Sequence, residues 1–349
     1  MKALVLAYYL PQYHEVEENN LWWGKGFTEW TNINNCKKYF ASHQIRKPIA
    51  PLSQYNLLES GIIEKQFEIA NNFGIDGFLI WNYWFGNGEK LLEKPLDSIL
   101  ENKINVKYCL AWANHSWMNK SKGLLLKEQK YLGVEDYIEY FNYLLPHFKS
   151  DNYLKIKNKP IFSIFSPKDV TDLDIFMETF ERLAKEFGFD GIHWLAENTE
   201  GSELYINKFN NFYNSGHLLY SRRFRSFTYF LELLHRKSGG RIKLGPFVYS
   251  FKKLDLVSSA KKMYPKQIPV IFTGWDSSIR HNDRGIILNE FNEETFDSHL
   301  NQIMKHALQV EAPILILKSW NEWAEGNLIE PDSIFGYRLL EILKKSLNS

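Results

Sequence analysis

At 349 residues with 44% hydrophobic content, the chain can bury a large core, and it falls in the size range of one barrel domain. A formal net charge of +1, without a long run of one sign, argues against nucleic acid as a partner. Cys36 and Cys109 are the only cysteines, so neither a disulfide framework nor a zinc site is indicated, no cofactor is called for, and a reducing, cytoplasmic setting is expected.

The first ten residues begin like a signal peptide, but their apolar part is short and an acidic segment follows, so residues 3–10 read as a first strand. No apolar run reaches the roughly 20 residues needed to span a bilayer. A polar and aromatic loop runs from 11 to 56, long enough to suggest function. Strands at 77–83, 105–113, 160–165 and 191–197 then alternate with helical patterns at 61–73, 89–100, 137–148 and 173–187. Residues 202–245 are irregular and carry two basic patches, Arg222-Arg223-Phe224-Arg225 and His235-Arg236-Lys237. They read as a solvated insertion, or as a contact for a membrane surface or an anionic glycan. Strands at 245–251, 269–275 and 313–319, with helices at 293–309 and 335–347, complete the chain. Eight strands and their helices predict a single (β/α)8 TIM barrel with a long first βα loop and an irregular insertion near 202–245.

The strand ends repeat one chemistry, aromatic rings beside an amide or imidazole: Trp81-Asn82-Tyr83-Trp84 and Trp112-Ala113-Asn114-His115. Barrel enzymes place their sites at that rim. Aromatic content of 16% suits a sugar cleft, where rings stack on the apolar face of a pyranose. The last strand empties into Ser319-Trp320-Asn321-Glu322-Trp323-Ala324-Glu325-Gly326. Glu322 and Glu325 are three apart, which on a turn brings their Cβ atoms to about 5–6 Å. That overlaps the roughly 5–5.5 Å carboxyl spacing of retaining glycosidases. The alternative, that one of them caps the last helix or pairs with Lys318 or Arg338, stays open at this level. Glu330 reads as support.

This stretch, with Ile329-Glu330, resembles the Asn-Glu-Trp-x-Glu-Gly signature of the endo-α-1,2-mannosidase/mannanase family, glycoside hydrolase family 99, and of its relatives, the WbsX-like proteins. The WbsX-like resemblance is the closer one and extends to Ala7-Tyr8-Tyr9-Leu10-Pro11-Gln12-Tyr13-His14, Trp22-Trp23-Gly24-Lys25-Gly26-Phe27-Thr28-Glu29-Trp30, Asn82-Tyr83-Trp84-Phe85 and Gly274-Trp275-Asp276. It implies a barrel with a carbohydrate site at its carboxyl rim, in proteins often encoded with bacterial surface-polysaccharide genes and labelled glycosyltransferases or lipopolysaccharide biosynthesis proteins. Carried over by residue, it implies that Glu322 assists attack by the substrate 2-hydroxyl and that Glu325 is the acid/base. Ala324 stands where the mannosidases have His, so the carboxylates transfer better than mannose specificity does.

The expected partner is therefore an oligosaccharide or polysaccharide. Tyr8, Gln12, His14, Glu29, Trp30, Asn114, His115, Asn321 and Trp323 are its expected polar and aromatic contacts. Trp81, Trp84, Trp112 and Trp275 are stacking candidates, and Asp276 with Arg280 forms either an ion pair or a substrate clamp. Two rival functions are a nucleotide-sugar glycosyltransferase and a non-catalytic glycan-binding barrel. For the first, the only Asp-x-Asp, at Asp172-Leu173-Asp174, looks like the start of a helix, and no phosphate-binding glycine loop stands out.

Overall fold

Strands that are apolar on both faces belong in a parallel sheet covered by helices. In the computed structural model, which describes residues 3–119, 123–197, 207–223, 226–259 and 264–348, the buried runs take that place. The strands are β1 (Leu4–Tyr9), β2 (Gly77–Trp84), β3 (Tyr108–Trp112), β4 (Lys159–Ile164), β5 (His193–Glu197), β6 (Asn211–Tyr213), β7 (Val270–Phe272) and β8 (Ile314–Lys318). Their order is β6-β5-β4-β3-β2-β1-β8-β7, and every neighbouring pair is parallel. The two end strands meet where the Phe212 amide donates to the Lys266 carbonyl at 3.2 Å and the Ile268 amide to the Phe212 carbonyl at 2.9 Å. This is the (β/α)8 barrel that the alternating pattern predicts.

The helices Ile62–Asn72, Lys94–Glu101, Val134–Lys149, Leu173–Glu186, Glu293–Gln309 and Arg338–Leu347 bury one apolar stripe each. In Val134–Lys149 the stripe is Tyr137, Tyr140, Phe141, Leu144 and Phe148, all buried at the 3.6-residue period. Among the described residues no helix is long and apolar enough to cross a membrane.

Two details differ from the sequence reading. The run at 245–251 is not the sixth barrel strand: Phe247–Ser250 pairs in parallel with Ile286–Asn289 in a separate two-stranded sheet. The sixth strand is β6, three residues inside the segment read as an insertion. A strand that short carries too little alternation to register, whereas the later run is longer and rich in β-formers. The rest of that segment, with the helices His217–Ser221, Phe227–Lys237 and Phe251–Ser259, forms a lobe with its own small core around Leu218, Phe247, Phe251 and Leu254. Phe224 and Arg225 of the first basic patch, and residues 198–206, lie outside the described residues. The first βα loop is also not structureless, since it contains the helices Glu17–Trp23 and Glu29–Asn35.

Candidate active site

Beyond β8 the chain makes a tight two-stranded turn, with Asn321 and Glu322 paired to Leu328 and Asn327. Gly326 adopts φ 56°, and a Cβ there would lie 2.7 Å from Asp276 Cβ, so the turn can lie against the β7 loop only with glycine at this position. Asn321 clamps the turn to β1: its Oδ1 accepts from the Leu10 amide at 2.8 Å and its Nδ2 donates to the Leu10 carbonyl at 3.1 Å.

This frame holds Glu322 and Glu325 at the barrel mouth. Glu322 is 5% exposed and accepts from Trp81 Nε1 at 3.2 Å. Burial, reinforced by the charge of Glu325, raises its pKa to about 6, against the pull of Lys318 and Arg280. Glu325 Oε1 accepts from Arg280 Nη1 at 2.9 Å, while Arg280 Nη2 donates to Glu29 Oε2 at 3.1 Å. Arg280 thus bridges the first βα loop and the last turn. The ion pair that the sequence allows between Arg280 and Asp276 does not form; Asp276 instead meets His43 Nε2 at 2.7 Å and accepts from the Ser278 hydroxyl at 2.5 Å.

Two further charged groups belong to the mouth. Glu197, at the end of β5, is 3% exposed and accepts from the Tyr8 hydroxyl at 2.6 Å and from the Ser215 hydroxyl. Tyr8 also bonds Tyr213, whose hydroxyl lies 2.8 Å from Ser163 Oγ. Burial lifts Glu197 to about 7 despite the nearby Lys318 ammonium. Lys318, 9% exposed, sits 5.6 Å from the Tyr8 ring centroid and 6.0 Å from that of Trp275. Burial would lower its pKa, but Glu322, Glu197 and Glu325 outweigh that effect and raise it. In the sequence Lys318 appears only as an alternative partner for the carboxyls, and Glu197 does not stand out, because its partners Tyr8 and Ser215 come from β1 and from just past β6.

Period two along the strands decides which predicted residues face the mouth. Trp81 faces it, stacked on Tyr8 at 4.4 Å and meeting Phe165 edge-on at 5.6 Å; His115, exposed, lies 5.2 Å from the same Phe165 ring. Trp84 faces the helices, stacked on Tyr140 at 4.8 Å with Nε1 donating to Asp136. Trp112 likewise stacks on Phe176 at 5.0 Å and donates to the Trp84 carbonyl at 3.0 Å. Asn114 links strand ends, donating to the Ser166 carbonyl and accepting its amide, each at 2.8 Å. Trp30 and Trp323 are buried against each other, with their indole N–H groups on the Tyr55 carbonyl and on Glu330. Gln12 supplies the carbonyl that receives the Glu29 amide at 3.3 Å. His14 is 1% exposed, with neither ring nitrogen partnered, and burial lowers its pKa to about 4. Trp275 is half-buried, and its indole N–H has no partner. Glu330 is a support: it accepts from Gln66, Tyr55 and Trp323 at 2.6–3.0 Å, and burial raises it to about 7.

Glu197 makes a pH-dependent contribution to stability. Its folded pKa lies above the ordinary 4.5, so between about pH 4.5 and 7 the native state binds more protons than the unfolded chain. The stabilisation from its neutral form is present at the acidic end and is lost as pH rises through 7. His14 and His193, both lowered to about 4 by burial, act in the opposite sense below pH 6.5, so the comparison is with a variant. The expected result is that Glu197→Gln gains on the wild type by on the order of 2 kcal/mol between pH 5 and pH 8 in urea unfolding. A constant difference across that range would contradict the assignment.

The family model described as glycosyltransferase WbsX matches residues 5–343. Two proteins from strains of Xanthomonas campestris pv. campestris, each described as uncharacterized protein WxcX, are 27% and 26% identical over 366 aligned positions. The alignments cover 99% of this chain and 50% of each relative, so the chain spans about half the length of these curated relatives. Among solved structures, a glycoside hydrolase-like protein superposes with a TM-score of 0.61 at 14% identity, over 99% of this chain and 94% of that one. The GH99 endo-alpha-mannosidase from Bacteroides thetaiotaomicron, in complex with bis-tris-propane, gives 0.59 at 14% identity over 99% and 96%. At that identity the likeness shows a shared fold.

Proposed function

The chain belongs to the glycosyltransferase WbsX family, and from that premise we propose that it is a carbohydrate-active enzyme working on glycosidic bonds of a bacterial cell-surface polysaccharide. The reaction is retaining hydrolysis or transglycosylation. The observation that carries this reading is the pair Glu322 and Glu325, held on one turn at the barrel mouth, one under Trp81 and the other on Arg280. Two carboxyls in unlike environments divide naturally into acid and base.

Glu322 takes the proton of the attacking hydroxyl, because burial makes it the more basic kind of carboxylate that general-base work near neutral pH requires. Glu325 gives a proton to the leaving oxygen. For that its Oε1 must be released by Arg280, which already holds Glu29 as a second partner. Trp81, backed by the buried Tyr8 ring stacked on it at 4.4 Å, is the surface on which a sugar ring is received.

The test is incubation with a panel of purified bacterial surface polysaccharides, with the anomeric configuration of the first-formed product read by proton NMR. Retention supports the proposal, and an inverted product overturns it. The family description favours a second reading, a transferase using a nucleotide sugar. Its Asp-x-Asp is occupied structurally: Asp172 accepts from the Tyr137 hydroxyl and Asp174 pairs with Lys208. Metal-dependent binding of a nucleotide sugar in calorimetry would establish that reading instead. A third class, a barrel that only binds glycan, predicts full affinity and no turnover in wild type and Gln variants alike.

A further inference from the structure

The lobe between β6 and β7 concentrates charge of one sign. Residues 216–248 hold seven Lys and Arg against one acidic residue, Glu232, in a chain whose formal net charge is only +1. Glu232 is 1% exposed and is engaged by Arg222 at 3.2 Å and Arg236 at 2.5 Å, so it cancels one of these charges and leaves the segment strongly positive. The remainder of the chain is therefore net negative, and the positive face is local.

Within this field the helix Phe227–Lys237 points apolar side chains outward. Phe227 is 75% exposed, Phe230 54% and Leu234 38%, and their spacing of three and four residues puts them on one face. Exposed Arg236 and Lys237 close the helix, and beyond it Ile242, 52% exposed, stands between exposed Arg241 and Lys243. A solvated helix would carry polar groups on that face. Phenyl rings and leucine bordered by Arg and Lys are the composition of a helix that lies in a lipid interface.

The lobe rises from the rim that carries the site. It leaves β6 beside Ser215, which bonds Glu197, and its strand Phe247–Ser250 pairs with Ile286–Asn289, just past Arg280. We propose that the outer face of helix Phe227–Lys237, with its bordering Arg and Lys side chains, docks the protein on an anionic lipid bilayer. The basic residues approach the negative headgroups while the phenyl rings and Leu234 enter the boundary with the acyl chains. This inference is independent of the chemistry assigned to Glu322 and Glu325.

Sedimentation of the full chain with vesicles tests it. With phosphatidylglycerol mixed into phosphatidylcholine, the bound fraction is expected to exceed that for phosphatidylcholine alone by about tenfold, and to fall as salt is raised. The variant Phe227→Ser/Phe230→Ser/Leu234→Ser, with an unchanged thermal midpoint, is expected to lose that binding, and Arg241→Gln/Lys243→Gln to weaken it. Equal partition onto both vesicle types, or wild-type binding by the triple serine variant, overturns the proposal. So does self-association in ultracentrifugation that the triple variant abolishes, since a second copy would then cover the face. Capture of dextran sulfate with no capture of vesicles would assign the surface to anionic glycan instead.

Discussion

Glu322→Gln is expected to lower kcat/KM by about 10²–10⁴-fold while leaving the fold intact. The amide oxygen of the variant can still accept the Trp81 indole N–H, the hydrogen bond that the carboxylate accepts at 3.2 Å. What is lost is the basic site. Glu325→Gln is expected to lose as much on natural glycan, yet to recover on a glycoside with an activated phenol leaving group, because such a group departs without protonation. Kinetics of both variants on both substrate types separate the roles. Recovery by the Glu322 variant instead would exchange them, and full activity in both would remove the pair from the mechanism. Because the base is lifted to about 6, the wild-type acidic limb of kcat/KM is expected to fall off below that pH.

Arg46→Met is expected to cost about 3–5 kcal/mol in urea unfolding, the largest stability effect anticipated for one surface-distant side chain. Arg46 lies in the first βα loop and donates Nε and Nη2 to Asp332 Oδ2 at 2.9 and 2.7 Å and Nη1 to the Thr273 carbonyl at 3.1 Å. Both partners are buried, 8% and 1% exposed, and the guanidinium lies 5.3 Å from the Phe335 ring centroid. Asp332 spends its other oxygen on the amides of Ile334 and Phe335, so it cannot turn away to water when Arg46 is removed. The penalty is that of a stranded buried carboxylate, and Arg46→Met/Asp332→Asn should therefore recover much of it. A loss under about 1 kcal/mol for the single variant would mean that the pair is weakly coupled to folding.

The barrel and the turn that carries Glu322 and Glu325 were legible because both depend on short-range pattern. Runs such as Leu4–Tyr9 and Ile314–Lys318 announce buried parallel strands, and Glu322 and Glu325 are close in sequence as well as in space. What escaped depends on long-range placement. Arg280 has Asp276 four residues away and instead takes Glu29, 251 positions distant, a choice that no local rule makes. Glu197 becomes a mouth residue only when β1 and β6 bring Tyr8 and Tyr213 to it. Trp84 and Trp112 share the rim in sequence but face the helices, where Tyr140 and Phe176 occupy their ring faces. Strict alternation along β2 puts Trp81 and Trp84 on opposite faces, a separation readable from their odd spacing alone.

The joint between β6 and β7 has its own consequence. Every other neighbouring pair of barrel strands shares at least three registered residue pairs, whereas among the described residues the backbone pairing at this joint is the single bridge of Phe212 with Gln267. The cylinder therefore has a seam, and local opening free energy is lowest where the fewest backbone bonds must break together. In hydrogen exchange, the amides of Phe212 and Ile268 should give up protection before those of β1. Tyr213 follows Phe212 on that seam and bonds Tyr8, so opening at the seam is expected to loosen the clasp around Glu197 as well.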